Sequence, residues 1–175
     1  MSKDHLPLKV DPYRFADNGI RLDGVLWVKE MQRFSASLSD DSGEVSVQMA
    51  FEIDEQGIRY LKGHLAALVM LQCQRCLDPF KHEIISNFLL GIVHTTEEAE
   101  ELPNRYDPLI VVDDTLILRD MIEEELIISL PIVAMHHTKD CNAEKLRDLD
   151  AHRNSVIERE NPFKVIELLR KKRIK

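Results

Sequence analysis

The sequence predicts an α+β domain with a central antiparallel sheet or a partly closed β-barrel, and with helices packed on it. The first observation is that apolar and polar residues alternate over long stretches in the middle of the chain. The second is that short turn sequences separate these stretches. The third is that helical spacing follows an acidic connector. A chain of 175 residues is long enough to bury the core of one such domain.

The first part of the chain predicts one strand and one short helix after an N-terminal arm. The arm comprises residues 1–20 and contains two prolines. RLDGVLWV, residues 21–28, is typical of a short strand, and residues 31–38 carry apolar side chains at helical spacing. DDSG, residues 40–43, has the composition of a turn. A strand and a helix are therefore expected before the central sheet.

Strict alternation predicts the strands of that sheet. From Glu44 to Asp54, large apolar residues occupy every second position, which indicates a half-buried strand. HLAALVMLQC, residues 64–73, alternates in the same way after the turn sequence DEQG. FKHEIISNFLLGIVH, residues 80–94, is long and rich in β-branched and aromatic residues. The short connections between these segments predict an antiparallel meander.

Helical spacing follows an acidic connector over residues 95–108, which contains two prolines. Asp114 or Thr115 can cap a helix whose apolar face consists of leucine, isoleucine and methionine. Pro131 marks where this helix ends, because its ring and its missing N–H cannot continue the hydrogen-bond ladder.

The C-terminal residues predict a tethered helix. Residues 142–161 are polar and charged, which is typical of a linker. Residues 162–175 predict a basic amphipathic helix that begins with a proline at its first position. The expected organisation is therefore an α+β domain over residues 1–141, a polar linker over 142–161 and a C-terminal helix over 162–175.

Charge is distributed unevenly along the chain. The net charge is −8, and residues 97–125 alone contain eleven acidic and two basic residues. This balance argues against non-specific nucleic-acid binding, which depends on neutralising phosphates. No apolar run has the roughly 20 residues that a membrane span needs, and the N-terminus lacks the apolar core of a secretory signal. We expect a cytoplasmic protein that binds neither membrane nor DNA.

The C-x-x-C of LQCQRCLDPF, formed by Cys73 and Cys76, has three interpretations. A redox couple requires a thiol at a helix N-terminus, whereas these cysteines follow an antiparallel strand. A metal site requires two further ligands, and His136 and Cys141 in MHHTKDC are candidates, with His137 as a spare. Spacing alone favours the third interpretation, in which the cysteines are buried small apolar residues.

Four segments resemble the YceD family of bacterial and plastid proteins: LPLKVDPYRF, LQCQRCLDPF, EEELIISLPIVAMH with the cysteine after it, and NPFKVIELLRK. The resemblance extends over nearly the whole chain. Many family members carry a cysteine cluster after the LP that follows this helix, and here the cluster is reduced to His136 and Cys141. The resemblance therefore implies that these two residues join Cys73 and Cys76 in one structural zinc site or zinc-like clip.

The acidic residues and the basic tail are the other candidate sites. Glu123, Glu124 and Glu125 are consecutive, so a helix spreads them around its axis and they cannot converge on one ion. They are expected on a solvated acidic face that binds a protein partner. The tail carries five cations that can contact RNA phosphates: Arg170, Lys171, Lys172, Arg173 and Lys175. Alternatively, its apolar stripe docks on the domain and these cations remain solvated.

The resemblance implies a non-enzymatic factor that is needed for accumulation of large-subunit (23S) ribosomal RNA. Its expected partners are large-subunit ribosomal RNA or its precursor and a basic ribosomal protein. The sequence agrees in part, since it contains no motif of a phosphate-binding loop or of a nucleophilic serine. The alternative is a protein-only adaptor or chaperone for a basic ribosomal protein, without direct RNA contact.

Overall fold

The computed structural model describes residues 6–137 and Cys141, and its fold is α+β as predicted. A short 3-10 turn, Val28–Glu30, precedes α2. The strands and helices, in chain order, are β1 (Lys9–Val10), α1 (Pro12–Asp17), β2 (Arg21–Trp27), α2 (Gln32–Ser35), β3 (Glu44–Ile53), β4 (Arg59–Gln72), β5 (Pro79–Val93), α3 (Thr96–Glu100), β6 (Asp107–Ile110), β7 (Leu116–Ile117) and α4 (Leu118–Ile128).

These elements all lie in the first of two compact units, Met1–Met135. The second unit is His136–Lys175, and the structure describes only its residues 136, 137 and 141. The predicted linker over 142–161 and the predicted C-terminal helix over 162–175 lie outside the described residues. None of the helices within the described part of the chain is long and apolar enough to cross a membrane.

The main sheet has five strands in the order β2-β3-β4-β5-β6. Strands β2 to β5 form the predicted antiparallel meander, with Val47 paired to Leu65 between β3 and β4. Strand β6 departs from the prediction because it runs parallel to β5, which makes the sheet mixed. Among the described strands, the edges β2 and β6 do not pair with each other, so this sheet does not close into a barrel. The connection through α3 is long enough to bring the chain back alongside β5 in the same direction.

Alternation along the strands places one face of the sheet in the core. The inward residues of β3 are 0–4% exposed: Val45, Val47, Met49 and Phe51. Helix α4 contributes Leu118, Ile122 and Leu126 to the same core. The opposite face of the sheet retains large exposed apolar side chains at Trp27, Leu68 and Ile85.

One close approach in the sheet requires a glycine. Gly63 of β4 is paired with Phe88 of β5. A Cβ atom at Gly63 would lie 1.9 Å from Cζ of Phe88, so the aromatic ring occupies the space that a larger residue would need. The ring is 7% exposed and belongs to the hydrophobic core.

Helix α4 begins later than predicted. Neither Asp114 nor Thr115 caps it; the cap position is Ile117, which makes no side-chain capping bond. Leu116 and Ile117, which precede α4, instead form β7, and β7 pairs with β1 near the N-terminus. The backbone N–H of Leu118 then donates to the carbonyl of Leu8 at 3.2 Å. A long-range strand pair therefore replaces the side-chain cap that the sequence suggested.

The predicted N-terminal arm and acidic connector both contain regular structure. In the arm, Asp11 caps α1 by accepting a hydrogen bond from the Arg14 backbone N–H, and Pro12 follows at the first helical position. In the connector, Thr95 caps α3 by accepting from the Glu98 backbone N–H. The helix predicted over 31–38 is shorter than expected, because α2 ends at Ser35.

Candidate functional site

The C-x-x-C lies in the tight turn between β4 and β5. Cys73 is 0% exposed and Cys76 is 1% exposed. The backbone N–H of Leu77 donates to the carbonyl of Cys73 at 2.8 Å, and the N–H of Cys73 donates to the carbonyl of Asp78 at 2.9 Å. Leu77 adopts a left-handed conformation with φ of 63°, which closes the turn. The turn therefore presents two thiols at one end of the hairpin.

The segment after α4 approaches this turn. The backbone N–H of Gln74 donates to the carbonyl of Ala134 at 2.9 Å, two residues before His136. The candidate ligand atoms of Cys73, Cys76, His136 and Cys141 all lie within 4.8 Å of one another. Cys141 is 8% exposed. The structure thus places close together the four candidate ligands of the sequence, which the resemblance to the YceD family implies as one site.

The donor set fits a tetrahedral metal site. Three sulfur atoms and one imidazole nitrogen are a usual ligand set for structural zinc, and metal–sulfur bonds of about 2.3 Å place ligand atoms about 3.8 Å apart. The candidate ligand atoms, all within 4.8 Å of one another, are close to that spacing. The cluster could therefore hold a metal ion. A redox role has less support, because no helix begins within the described turn, residues 73–78.

The three consecutive glutamates of α4 have three different environments. Glu123 is only 6% exposed, so the expectation of a solvated position is wrong for this residue. Its carboxylate accepts hydrogen bonds from the backbone N–H groups of Arg33 at 2.7 Å and Phe34 at 3.0 Å. Glu124 is exposed and accepts from the Arg33 guanidinium at 2.8 Å. Glu123 therefore positions α2 against α4.

The pKa values of Glu123 and Glu125 are shifted in opposite directions. Burial opposes ionisation of Glu123, but the N–H groups of Phe34 and Arg33 and the Arg33 side chain hold its pKa below the usual value. The pKa of Glu125 is raised, first by burial and then by the neighbouring charges of Asp107 and Glu124. Within the described residues, Glu125 is the one of the three that makes no ion pair with a cationic side chain.

A shallow groove of about 960 Å³ on the open face of the sheet was not foreseen from the sequence. Its polar groups largely bind one another. Tyr60 donates to the Glu52 carboxylate at 2.6 Å, which raises the pKa of Tyr60 to about 12. Asp54 accepts from Arg105 and from the Tyr106 hydroxyl. These contacts stabilise the β3–β4 end of the sheet rather than form a reactive site.

The histidines in the strands are accounted for by local contacts. His64 Nδ1 lies 2.8 Å from the side-chain oxygen of Asn87 on the neighbouring strand. The ring of His94 stacks on Tyr13, with 4.1 Å between the ring centroids.

The RNA-binding candidates of the tail, at 170–173 and 175, lie outside the described residues and stay a prediction.

Comparison with known proteins gives one family and one curated relative. A family model described as "Large ribosomal RNA subunit accumulation protein YceD" matches residues 61–170. A curated protein of that description from Haemophilus influenzae is 29% identical over 174 residues, which cover 98% of this chain and 100% of that protein. No solved structure matches the chain.

Proposed function

The chain belongs to the YceD family, and from this premise we propose that it is a non-enzymatic ribosome biogenesis factor supporting accumulation or processing of large-subunit (23S) ribosomal RNA. The observation that carries the proposal is the similarity to the H. influenzae protein over essentially the full length of both chains. That protein is named for the accumulation of large-subunit ribosomal RNA.

The charge pattern supports a division of labour between RNA and protein contacts. In this proposal the cations at 170–173 and 175 bind precursor RNA, since each can neutralise a phosphate. In the same proposal, the exposed Glu124 and the half-buried Glu125 of α4 bind a basic ribosomal protein. Glu123 contributes indirectly, because its bonds to the α2 backbone keep α4 in place.

The cluster of Cys73, Cys76, His136 and Cys141 is proposed to be a structural zinc site. Four protein ligands complete a tetrahedral shell, so no coordination position remains open for a substrate or a water molecule. A bound zinc supplies a cross-link among its four ligands. The protein positions the two ligands of the β4–β5 turn through its backbone hydrogen bonds.

Deleting the gene and restoring it with variants tests the proposal. The ratio of 23S to 16S ribosomal RNA should fall on deletion and recover with the wild-type chain. Replacing the five tail cations by glutamine should prevent recovery. A matched control replaces five exposed cations of the described domain by glutamine: Lys9, Arg14, Lys29, Lys62 and Lys81. An unchanged 23S ratio after deletion would overturn the proposal.

The second candidate function is a protein-only adaptor for a basic ribosomal protein. The charge of Glu125, which lies near that of Asp107 and pairs with no cationic side chain among the residues that the structure describes, favours it. Ultraviolet crosslinking in growing cells separates the two functions. Fragments concentrated in one region of precursor large-subunit RNA support direct RNA contact, whereas background RNA together with a recovered ribosomal protein supports the adaptor.

A further inference from the structure

A groove of about 700 Å³ lies between strand β6 and helix α4. Its floor is apolar. Leu90 of β5 and Met121 of α4 are 5% and 7% exposed, whereas Ile128 on the last turn of α4 is 75% exposed. The other apolar lining residues are Pro108, Leu109, Leu116 and Ile117. An aliphatic side chain from outside can therefore bury its surface here without displacing a core residue.

Four carboxylates border this apolar floor: Asp107, Asp120, Glu124 and Glu125. Two of them have cationic partners within the chain, since Glu124 pairs with Arg33 at 2.8 Å and Asp120 pairs with Arg119 at 3.5 Å. In the part of the chain that the structure describes, no cationic side chain pairs with Asp107 or Glu125.

The two uncompensated carboxylates lie close enough to interact. The charge of Asp107 is among the causes that raise the pKa of Glu125, after burial itself. Asp107 belongs to β6, and Glu125 belongs to α4, so the repulsion acts across the groove. A cation placed between them would relieve it. A phosphate group there would meet the same two negative charges and be repelled.

Strand β6 adds a further feature, because it is an edge of the main sheet. Among the described strands only β5 pairs with it. Exposed edge strands are common docking positions for extended peptides, which gain main-chain hydrogen bonds there. Pro108 offers no N–H within β6, so the side chains of the groove must supply most of the recognition.

We propose that the groove between β6 and α4 binds a basic segment of a protein partner. One aliphatic side chain of that segment fills the apolar floor, and flanking lysine or arginine side chains neutralise Asp107 and Glu125. The inference rests on the proposed function, because it specifies the chemistry of the protein partner assigned to α4.

Fluorescence anisotropy with two labelled heptapeptides tests this inference on the full chain. One peptide alternates lysine with leucine, and the other alternates lysine with serine, so both carry the same charge. The leucine peptide should bind about tenfold more tightly than the serine peptide, because only its side chains bury apolar surface in the groove. A labelled short single-stranded RNA, titrated without peptide, should bind the wild-type chain and Ile128→Ser equally, because the groove repels phosphate.

Variants locate the binding in the groove. The double variant Asp107→Asn with Glu125→Gln should weaken binding of the leucine peptide about tenfold, through loss of two partly desolvated charge contacts. Its control, Asp41→Asn with Glu55→Gln, removes two exposed charges elsewhere and should bind normally. Ile128→Ser should also weaken binding, whereas Leu68→Ser, at an exposed position on the open face of the sheet, should not.

Three results would overturn the inference: full binding by the double variant, equal binding of the two peptides, or weaker binding of the RNA by Ile128→Ser. Thermal melting of each variant verifies that it is folded. The assay measures contact directly and does not depend on ribosomal RNA levels. It can therefore fail while the 23S phenotype stands, and the 23S phenotype can be absent while the groove still binds the peptide.

Discussion

The buried carboxylate of Glu123 accepts a hydrogen bond from the backbone N–H of Arg33 at 2.7 Å, across 90 residues of sequence. The same oxygen accepts the Phe34 N–H at 3.0 Å. Helix α2 has no side-chain cap of its own, so Glu123 supplies the acceptor that its first turn lacks.

Replacing Glu123 by alanine should destabilise the domain by about 1–3 kcal/mol, since two N–H groups lose a buried acceptor. Urea unfolding measures this change. Glu124→Gln is the matched control on the same helix and should cost less than about 1 kcal/mol, because its pair with Arg33 is exposed. Equal costs for the two variants would show that the contact with α2 contributes little.

The pH dependence of Glu123 follows from its lowered pKa. A carboxyl whose folded pKa is depressed stabilises the fold above its unfolded pKa, and this stability is lost as pH falls through the folded pKa. The stability gap between wild type and Glu123→Ala should therefore narrow below about pH 4. Thermal melting from pH 7 to pH 3 measures it, and a constant gap would contradict the assignment.

For Glu125 we expect the opposite dependence of stability on pH. Its folded pKa is raised, so its ionisation destabilises the fold as pH rises from the unfolded pKa through the folded pKa. Glu125→Gln should raise the melting temperature at pH 7, and the gain should disappear near pH 4. Glu55→Gln, at an exposed turn position, is the control and should show little change. A lower melting temperature for Glu125→Gln at pH 7 would contradict the claim that ionisation of Glu125 destabilises the fold.

Gly63→Ala should destabilise the sheet by about 1–3 kcal/mol, because the added methyl group would overlap the ring of Phe88. A double-mutant cycle isolates this contact from the general effect of the substitution. In the background Phe88→Ala, the same glycine change should cost less, since the ring is gone. Equal costs in both backgrounds would exclude the ring as the cause.

The metal site predicts a stoichiometry of about one zinc per chain after loading and removal of excess metal. His136→Ala should reduce the zinc content and lower the melting temperature, and chelation should lower that of the wild-type chain. His137→Ala is the matched control, because its ring is adjacent in sequence and lies outside the cluster. A loaded wild-type chain without bound zinc would contradict the proposed site.

The sequence predicts those strands and helices whose apolar pattern lies within one continuous segment. Alternation predicted a strand from Glu44 to Asp54, and β3 spans Glu44–Ile53. The start of α4 was predicted too early, because pairing of β7 with β1 is a long-range contact that local pattern does not contain. The parallel direction of β6 was missed for the same reason.

The candidate sites likewise divide into those predictable from local sequence and those that depend on tertiary contacts. The C-x-x-C at a strand end was predictable as a hairpin turn, and the resemblance favoured its pairing with the two further candidate ligands, His136 and Cys141. Burial of Glu123 was not predictable, since its acceptor role depends on where α2 packs. The groove was missed because Asp107 and Glu125 belong to elements that meet only in the folded domain.

The pairing of β1 with β7 also determines when the domain can be completed during synthesis. Lys9 is made early, but its partner Ile117 is polymerised only after most of the domain. At translation rates of about 5–20 residues per second, β7 is synthesised roughly 5–20 s after β1. Throughout that interval Leu6 and Val10, which are buried in the finished domain, have no completed core to enter. These two apolar side chains are therefore accessible to chaperones that bind nascent chains throughout the interval.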